Sequence, residues 1–162
     1  MRCILVDSIK FKDLFSTLPT AVFVLGLKTD TKVVGCTISS IVSLDVEGDQ
    51  KILFTLGKDS RFGALISNDN TISVNLLNFN QIPEAIHFSK VSRNELSDRL
   101  FKWNTNQDSI YLEGCETFLT CKLNKKINTE SNTIVLLDVI KIELSKRRKP
   151  LIYMNRRFNP FF

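Results

Sequence analysis

Residues 20–38 read TAVFVLGLKTDTKVVGCTI, and this stretch decides the fold class. Its two halves are rich in β-branched and aromatic residues, and the polar residues 29–32 between them are typical of a turn. Together they predict a β-hairpin. A second polar turn at 46–50 leads to a third apolar run at 51–56. Three consecutive strands joined by short turns favour an antiparallel sheet over the alternating strands and helices of a parallel one.

The rest of the chain is also rich in strand patterns. Apolar runs typical of strands lie at 71–77, 116–123, 133–144 and 151–154, with a polar turn predicted at 124–132. Helical spacing predicts short helices at 9–18, from residue 61 and at 81–89, and residues 90–107 are predicted to be a loop or insertion. The sequence therefore predicts a mainly β protein, an antiparallel barrel with two or three short helices. Such a barrel can hold one small ligand at its mouth or in a groove.

Length and composition predict a single domain spanning residues 1–162. A chain of 162 residues, 43% hydrophobic and 24% charged, can bury a core without disulfides or metal. The four cysteines, Cys3, Cys36, Cys115 and Cys121, lack CxxC spacing, so reduced thiols in a cytoplasmic protein are expected. His87 is the only histidine and lies in an apolar helical stretch, which favours a packed side chain over a metal ligand or general base.

The net charge of +5 comes largely from basic clusters at 146–149 and 156–157. A solvated charged surface is the ordinary explanation of such clusters. No paired aromatic residues typical of an RNA-binding motif accompany them, so nucleic acid is not expected as a partner. The apolar runs are too short to span a bilayer, so no membrane association is expected either.

The stretch 33–43 combines a strand with a high density of hydroxyl groups. Thr37, Ser39 and Ser40 stand among apolar residues and closely follow Gly35. A glycine allows a ligand to approach the backbone, and hydroxyls suit the polar edge of a flat heteroaromatic molecule. A polar strand edge without a ligand would have the same sequence, so this stretch alone leaves both interpretations open.

A second candidate element, residues 58–61, reads KDSR. Ser60 is a typical N-cap for a helix that begins at Arg61, and the free N–H groups of a helix start attract anions. Lys58 and Arg61 would add charge-assisted hydrogen bonds to a phosphate. Asp59 favours the alternative, in which Asp59 or Ser60 caps the helix and both cations are solvated. The sequence contains no recognisable catalytic acid–base arrangement, so an enzyme built on it would rely on a cofactor for its chemistry.

Several segments, in order, resemble the short-chain flavin reductases, the FMN-binding split-barrel family. Residues 11–24, FKDLFSTLPTAVFV, are similar to the family's opening helix and first strand. Residues 35–43, GCTISSIVS, resemble its flavin-edge segment GxTxNSFxS, and 58–61 fall where that family binds the flavin phosphate. Residues 73–77 with Gln81 resemble its VNVL…Q segment. Residues 150–153 with Arg156 and Phe158 resemble its closing PLLYxxRxY motif.

The resemblance implies a role for each matched residue. It places Thr37, Ser39, Ser40 and the backbone near Ile41 at the polar edge of the isoalloxazine ring, and Ser60, Arg61 and Lys58 at the phosphate of FMN, or of FAD. It implies hydride transfer from NAD(P)H to the flavin without a protein acid or base. It further implies a homodimer that supplies reduced flavin to a separate flavin-dependent monooxygenase.

The matched segments also differ from the family pattern. Ser39 replaces the usual Asn and Ile41 the usual Phe, and Ser131–Asn132 replace an Asp-His pair associated with the nicotinamide side. The flavin half therefore matches better than the nicotinamide half. Two functions follow as alternatives: an NAD(P)H:flavin oxidoreductase, or a flavin-binding electron-transfer protein on the same barrel without efficient NAD(P)H turnover.

Overall fold

The computed structural model describes residues 7–90, 101–106, 109–145 and 149–159. Cys3, most of the basic cluster at 146–149, and residues 91–100 and 107 of the predicted insertion lie outside this part. The described helices are α1 (Ser8–Ser16), α2 (Arg61–Leu65) and α3 (Ile82–Lys90). The described strands are β1 (Thr20–Ala21), β2 (Phe23–Lys28), β3 (Val33–Ile38), β4 (Val42–Asp45), β5 (Lys51–Gly57), β6 (Thr71–Leu76), β7 (Trp103–Thr105), β8 (Ile110–Leu112), β9 (Phe118–Asn128), β10 (Asn132–Glu143), β11 (Ile152–Met154) and β12 (Arg157–Asn159). No described helix has the length and apolar character needed to cross a membrane.

Seven strands form the main sheet in the order β3-β2-β6-β9-β10-β5-β4. Every neighbouring pair is antiparallel, and β2 and β3 form the predicted hairpin, with Gly26 opposite Gly35. The antiparallel architecture expected from the sequence is therefore confirmed.

The sheet must curl into a barrel because its two edge strands follow each other in the chain. Only residues 39–41 connect β3 to β4. The four peptide steps from Ile38 to Val42 span at most about 14 Å. In a flat sheet, strands six positions apart would lie about 29 Å apart. Ser40 accordingly reaches β5, where its hydroxyl lies 3.4 Å from the backbone nitrogen of Thr55.

Strand β2 separates two hydrophobic clusters. Leu25 and Leu27 face the larger cluster, inside the barrel, together with Phe54 and Phe62. Val24 belongs to a smaller cluster between the sheet and α3. The smaller cluster also contains Val22, Leu77, Ala85, Phe88, Leu112, Cys115 and Leu151, with Phe101 and Trp103 packed against it. Burial on both faces explains why this strand is a continuous apolar run rather than an alternating one.

Three buried backbone segments are joined by a closed set of hydrogen bonds, here called the backbone clasp. Val22 N donates to the Leu151 carbonyl oxygen at 2.9 Å, and Leu151 N donates to the Leu77 carbonyl oxygen at 2.8 Å. Leu77 N donates in turn to the Val22 carbonyl oxygen at 3.0 Å. All three residues are fully buried. The clasp therefore fixes the C-terminal strands β11 and β12 against the start of β2 and the end of β6.

The structure corrects the sequence prediction in two regions. The turn predicted at 124–132 is mostly strand, because β9 continues to Asn128 and β10 begins at Asn132. Polar residues occupy both strands there because this end of the hairpin is largely exposed to solvent. Residues 103–105 of the predicted insertion form β7, which pairs with β8 just beyond it, and neither strand was predicted. Three residues are too few for an alternating pattern to be recognised.

Candidate functional site

A cleft of about 390 Å³ lies at the C-terminal end of β3. Its described lining consists of Val22, Thr37, Ile38, Ser39, Ser89, Tyr153, Arg156 and Phe158. This β3 cleft brings the hydroxyl-rich segment together with the closing motif, although more than a hundred residues separate them in the chain. Tyr153, Arg156 and Phe158 were noted in the sequence only as part of that motif, and Ser89 carried no signal beyond helical spacing.

Thr37 connects the cleft to α3. Its hydroxyl donates a 2.9 Å hydrogen bond to the carbonyl oxygen of Ala85. A threonine hydroxyl has one proton and two acceptor lone pairs, so this bond leaves only acceptor capacity for a ligand. Thr37 is therefore suited to a ligand N–H group.

Ser39, Ser40 and Ile41, which follow Thr37 in the hydroxyl-rich segment, have side chains that point in different directions. Ser39 is half-buried in the cleft, and its hydroxyl bonds to no residue that the structure describes. Ser40 is exposed, and its hydroxyl lies 3.4 Å from the backbone and hydroxyl oxygens of Thr55. Ile41 packs against the barrel core. Of these three side chains, only Ser39 offers a free donor and acceptor inside the cleft.

Gly35 does not open the backbone to a ligand, contrary to the expectation from the sequence. A Cβ atom on this residue would lie 2.4 Å from Phe88 Cδ1 and 3.1 Å from Trp103 Cζ2. On its paired partner Gly26, a Cβ atom would lie 2.4 Å from Trp103 Cζ3. The two glycines thus make room for aromatic side chains of the smaller cluster.

Residues 58–61 form a helix start, as predicted. The Ser60 hydroxyl accepts a 3.1 Å hydrogen bond from Gly63 N, and the side chains of Lys58 and Arg61 are exposed. At the other end of α2, the Lys126 ammonium group donates to the carbonyl oxygens of Gly63 at 2.8 Å and Ile66 at 2.6 Å. These two bonds hold the helix that carries Arg61, and the sequence did not predict this role for Lys126.

The barrel brings the two candidate elements into the same region. Ser40 contacts Thr55, which precedes Gly57 and Lys58 by only two and three residues. Ile38 and Phe62 belong to the same core cluster, so β3 and α2 pack against each other. A ligand at Ser39 and Ser40 could therefore extend toward the exposed cations of α2.

Polar residues of the VNVL…Q segment bind the protein's own backbone. Asn75 is fully buried, and its amide nitrogen donates to the Val24 carbonyl oxygen at 2.9 Å. The Asn75 carbonyl oxygen accepts a 2.9 Å bond from Leu112 N. Gln81 accepts a 3.0 Å bond from Asn78 N just before α3. Both residues therefore position β8 and α3 behind the cleft.

His87 is packed, as expected. Its ring lies 5.0 Å from that of Phe88 and 5.1 Å from that of Phe101, in edge-on geometry. Such contacts are typical of a histidine that contributes to an aromatic cluster.

The three described cysteines are free thiols. Burial raises the pKa of Cys36 to about 11 and those of Cys115 and Cys121 to about 12. These thiols are therefore neutral and poorly nucleophilic at physiological pH. The described part of the chain also contains no group of His, Cys, Asp and Glu side chains suited to a metal ion.

Comparison with protein families identifies the class of the protein. Residues 15–161 match the family described as flavin reductase like domain, so the chain belongs to the flavin reductase family. Curated proteins gave no match.

Solved structures show the same fold. The Streptomyces globisporus C-1027 NADH:FAD oxidoreductase SgcE6 superposes with a TM-score of 0.84 at 22% identity, covering 100% of this chain and 99% of that one. The styrene monooxygenase flavin reductase SMOB from Pseudomonas putida S12 gives 0.83 at 19% identity, covering 93% and 96%. BorF, the flavin reductase component of a bacterial two-component tryptophan halogenase, gives 0.81 at 21% identity, covering 94% and 97%.

Family and fold together confirm the resemblance and the split-barrel prediction. The chain is a flavin reductase-type oxidoreductase with a mainly β, antiparallel split barrel.

Proposed function

We propose that the protein is an NAD(P)H:flavin oxidoreductase that binds FMN in the β3 cleft and acts in the cytoplasm. The observation that carries the proposal is that one cleft unites Thr37 and Ser39 with Tyr153 and Phe158, in a chain of the flavin reductase family. When bound, the flavin supplies a ring that accepts hydride from a nicotinamide nucleotide. The protein then has to bind, orient and shield the reactants.

The hydrogen-bonding state of each side chain suggests its role at the ring edge. The Thr37 hydroxyl already donates its hydrogen bond to the Ala85 carbonyl oxygen, so it would accept a hydrogen bond from a ring N–H group. The free Ser39 hydroxyl can donate to a ring carbonyl oxygen, where it stabilises negative charge on the reduced ring. Ser40 and the backbone near Ile41 lie on the side toward Thr55. Tyr153 and Phe158 contribute apolar surface that excludes water.

We assign the flavin phosphate to Ser60 and Arg61, with Lys58 beside them. The exposed cations stand at the start of α2, whose other end is held by Lys126. FMN is proposed as the flavin. FAD is the alternative, because SgcE6 is an NADH:FAD oxidoreductase that was also solved with NAD and FAD fragments.

We further propose that the chain forms a homodimer and passes reduced flavin to a separate monooxygenase. SMOB is the flavin reductase of a styrene monooxygenase, and BorF is the flavin reductase component of a two-component tryptophan halogenase. No described residue of α1 is buried, and its apolar side chains include Ile9 at 69% and Leu14 at 62% exposure. Exposed apolar surface of this kind is typical of an interface. A monomer mass by sedimentation equilibrium would contradict the dimer.

An alternative function is favoured by one observation at the end of the β9–β10 hairpin. Asn132 stands where the family pattern has a histidine, and its amide donates a 3.1 Å bond to Ser131 Oγ. An amide does not titrate, so it cannot present the positive charge that a histidine can offer to a nicotinamide nucleotide. A flavin-binding electron-transfer protein without efficient NAD(P)H turnover is the function that this substitution favours.

Mixing the protein with FMN and NADH or NADPH separates these two functions. We expect FMN fluorescence to change on titration and nucleotide absorbance to fall faster than in a protein-free blank. Bound FMN without nucleotide oxidation would support the electron-transfer function instead. A colourless protein that leaves FMN fluorescence unchanged would contradict both.

Replacing Arg61 by alanine should weaken FMN binding roughly ten- to a hundredfold, the equivalent of about 1.5–3 kcal/mol for one charge-assisted hydrogen bond. Riboflavin lacks the phosphate, so its affinity should change less than about twofold. Fluorescence titrations with both ligands measure the difference. Lys28→Ala, which removes an exposed cation outside both candidate elements, is the control. Equal losses for the two flavins would rule out Arg61 as a phosphate ligand.

A further inference from the structure

The turn between β11 and β12 has a backbone conformation that side chains other than glycine rarely adopt. Asn155 has φ of 52° and Arg156 has φ of 59°, both in the left-handed region. Asn155 N donates a 2.6 Å hydrogen bond to the Ser16 carbonyl oxygen at the end of α1. Arg156 Nη2 is ion-paired with Asp13 Oδ1. Met154 pairs with Arg157, so Asn155 and Arg156 are the loop of a hairpin, in which positive φ at both positions is a favoured geometry. Contacts to α1 hold this turn in place.

This conformation places Arg156 at the β3 cleft. Among the described residues that line the cleft, it is the only charged one. Its side chain is 63% exposed, so the guanidinium group remains accessible while paired with Asp13. Tyr153 and Phe158 flank it along the lining. A cation beside aromatic surface is suited to the phosphate and the flat rings of a nucleotide.

The position of Arg156 differs from that of the cations assigned to the flavin phosphate. Ser39 lines the β3 cleft together with Arg156, whereas Ser40 turns toward Thr55 and the start of α2. Arg61 stands on that second side and was assigned to the flavin phosphate. Arg156 thus lines the cleft itself, whereas residues 58–61, assigned to the flavin phosphate, are not part of its described lining. A second anionic ligand in this cleft would therefore meet a cation of its own.

We propose that Arg156 binds the pyrophosphate of the nicotinamide dinucleotide and that Asp13 holds the guanidinium group ready before the dinucleotide binds. This inference rests on the proposed function, since it names the residue that receives the electron donor. Arginine pairs with phosphate oxygens through two parallel hydrogen bonds, so one side chain can exchange the Asp13 carboxylate for the ligand.

The test uses oxidised NAD and NADP, which bind without reacting, titrated into the FMN-loaded protein by calorimetry. Arg156→Gln should weaken dinucleotide binding about ten- to a hundredfold and leave FMN affinity within about twofold. Arg156→Lys keeps the charge and loses the bidentate geometry, so its dinucleotide affinity should lie between those of Arg156→Gln and the wild type. Arg157→Gln removes a neighbouring cation that is not among the described residues of the cleft lining, and should bind like the wild type.

The outcomes distinguish the inference from the proposed function. Unchanged dinucleotide affinity in Arg156→Gln would overturn the inference, as would an equal loss for FMN, which would assign Arg156 to the flavin. A wild-type protein that binds no dinucleotide would overturn it as well. Dinucleotide binding that depends on Arg156, without oxidation of NADH or NADPH, would support the inference and contradict the reductase function.

Discussion

Replacing Asn75 by alanine should lower the free energy of unfolding by about 3 kcal/mol, because one side chain satisfies several buried polar groups. Its amide nitrogen donates to the Val24 carbonyl oxygen and to Ser73 Oγ, and its carbonyl oxygen accepts from Leu112 N. Alanine would leave the Leu112 N–H group buried without this acceptor. A buried donor without a partner costs more than the net value of the bond it has lost.

Urea denaturation followed by the fluorescence of Trp103, the single tryptophan, measures this loss. Asn80→Ala is a suitable control because Asn80 is exposed. It should change stability by less than about 0.5 kcal/mol. A loss of less than about 1 kcal/mol in Asn75→Ala would show that water or a neighbouring group replaces the amide.

Replacing Gly35 by valine should lower the free energy of unfolding by about 3 kcal/mol through overpacking. The first added carbon would already lie 2.4 Å from the Phe88 ring, which is buried and has little room to move. Gly57→Val is the matched control, since no atom outside its chain neighbours lies within 4 Å of a Cβ there. A β-branched residue at an exposed strand position should be tolerated.

A second substitution tests the cause of this loss. If the Phe88 ring is what the valine meets, Phe88→Ala should destabilise the Gly35→Val protein much less than it destabilises the wild type. Thermal unfolding of the four proteins in a double-mutant cycle gives the coupling between the two positions. Additive losses would show that the strain at position 35 has another source.

Local patterns in the sequence were sufficient for much of the fold. The hairpin of β2 and β3 and the Ser60 cap depend on neighbours within a few residues, so periodicity and capping chemistry predicted both. β7 and β8 were missed because each has only three residues, too few for an alternating pattern, whereas their packing against the smaller hydrophobic cluster involves residues distant in the chain.

The candidate site was predicted in part, and the remainder depends on long-range packing. Thr37 and Ser39 do line a cleft, but the side chain of Ser40 turns toward Thr55. The sequence does not show whether the space over Gly35 is filled by a ligand or by a ring of the protein itself. The pairing of Arg156 with Asp13, 143 residues away, is likewise invisible to a local pattern.

The backbone clasp has a consequence for how the protein is made. Its three hydrogen bonds join Val22, Leu77 and Leu151, so the ring cannot close until Leu151 has been synthesised. The cleft requires still later residues, Tyr153, Arg156 and Phe158. Chains are made from the N-terminus at about 5–20 residues per second. A ribosome-bound chain that ends before these residues therefore lacks the cleft, whose lining is complete only after almost all of this sequence has emerged.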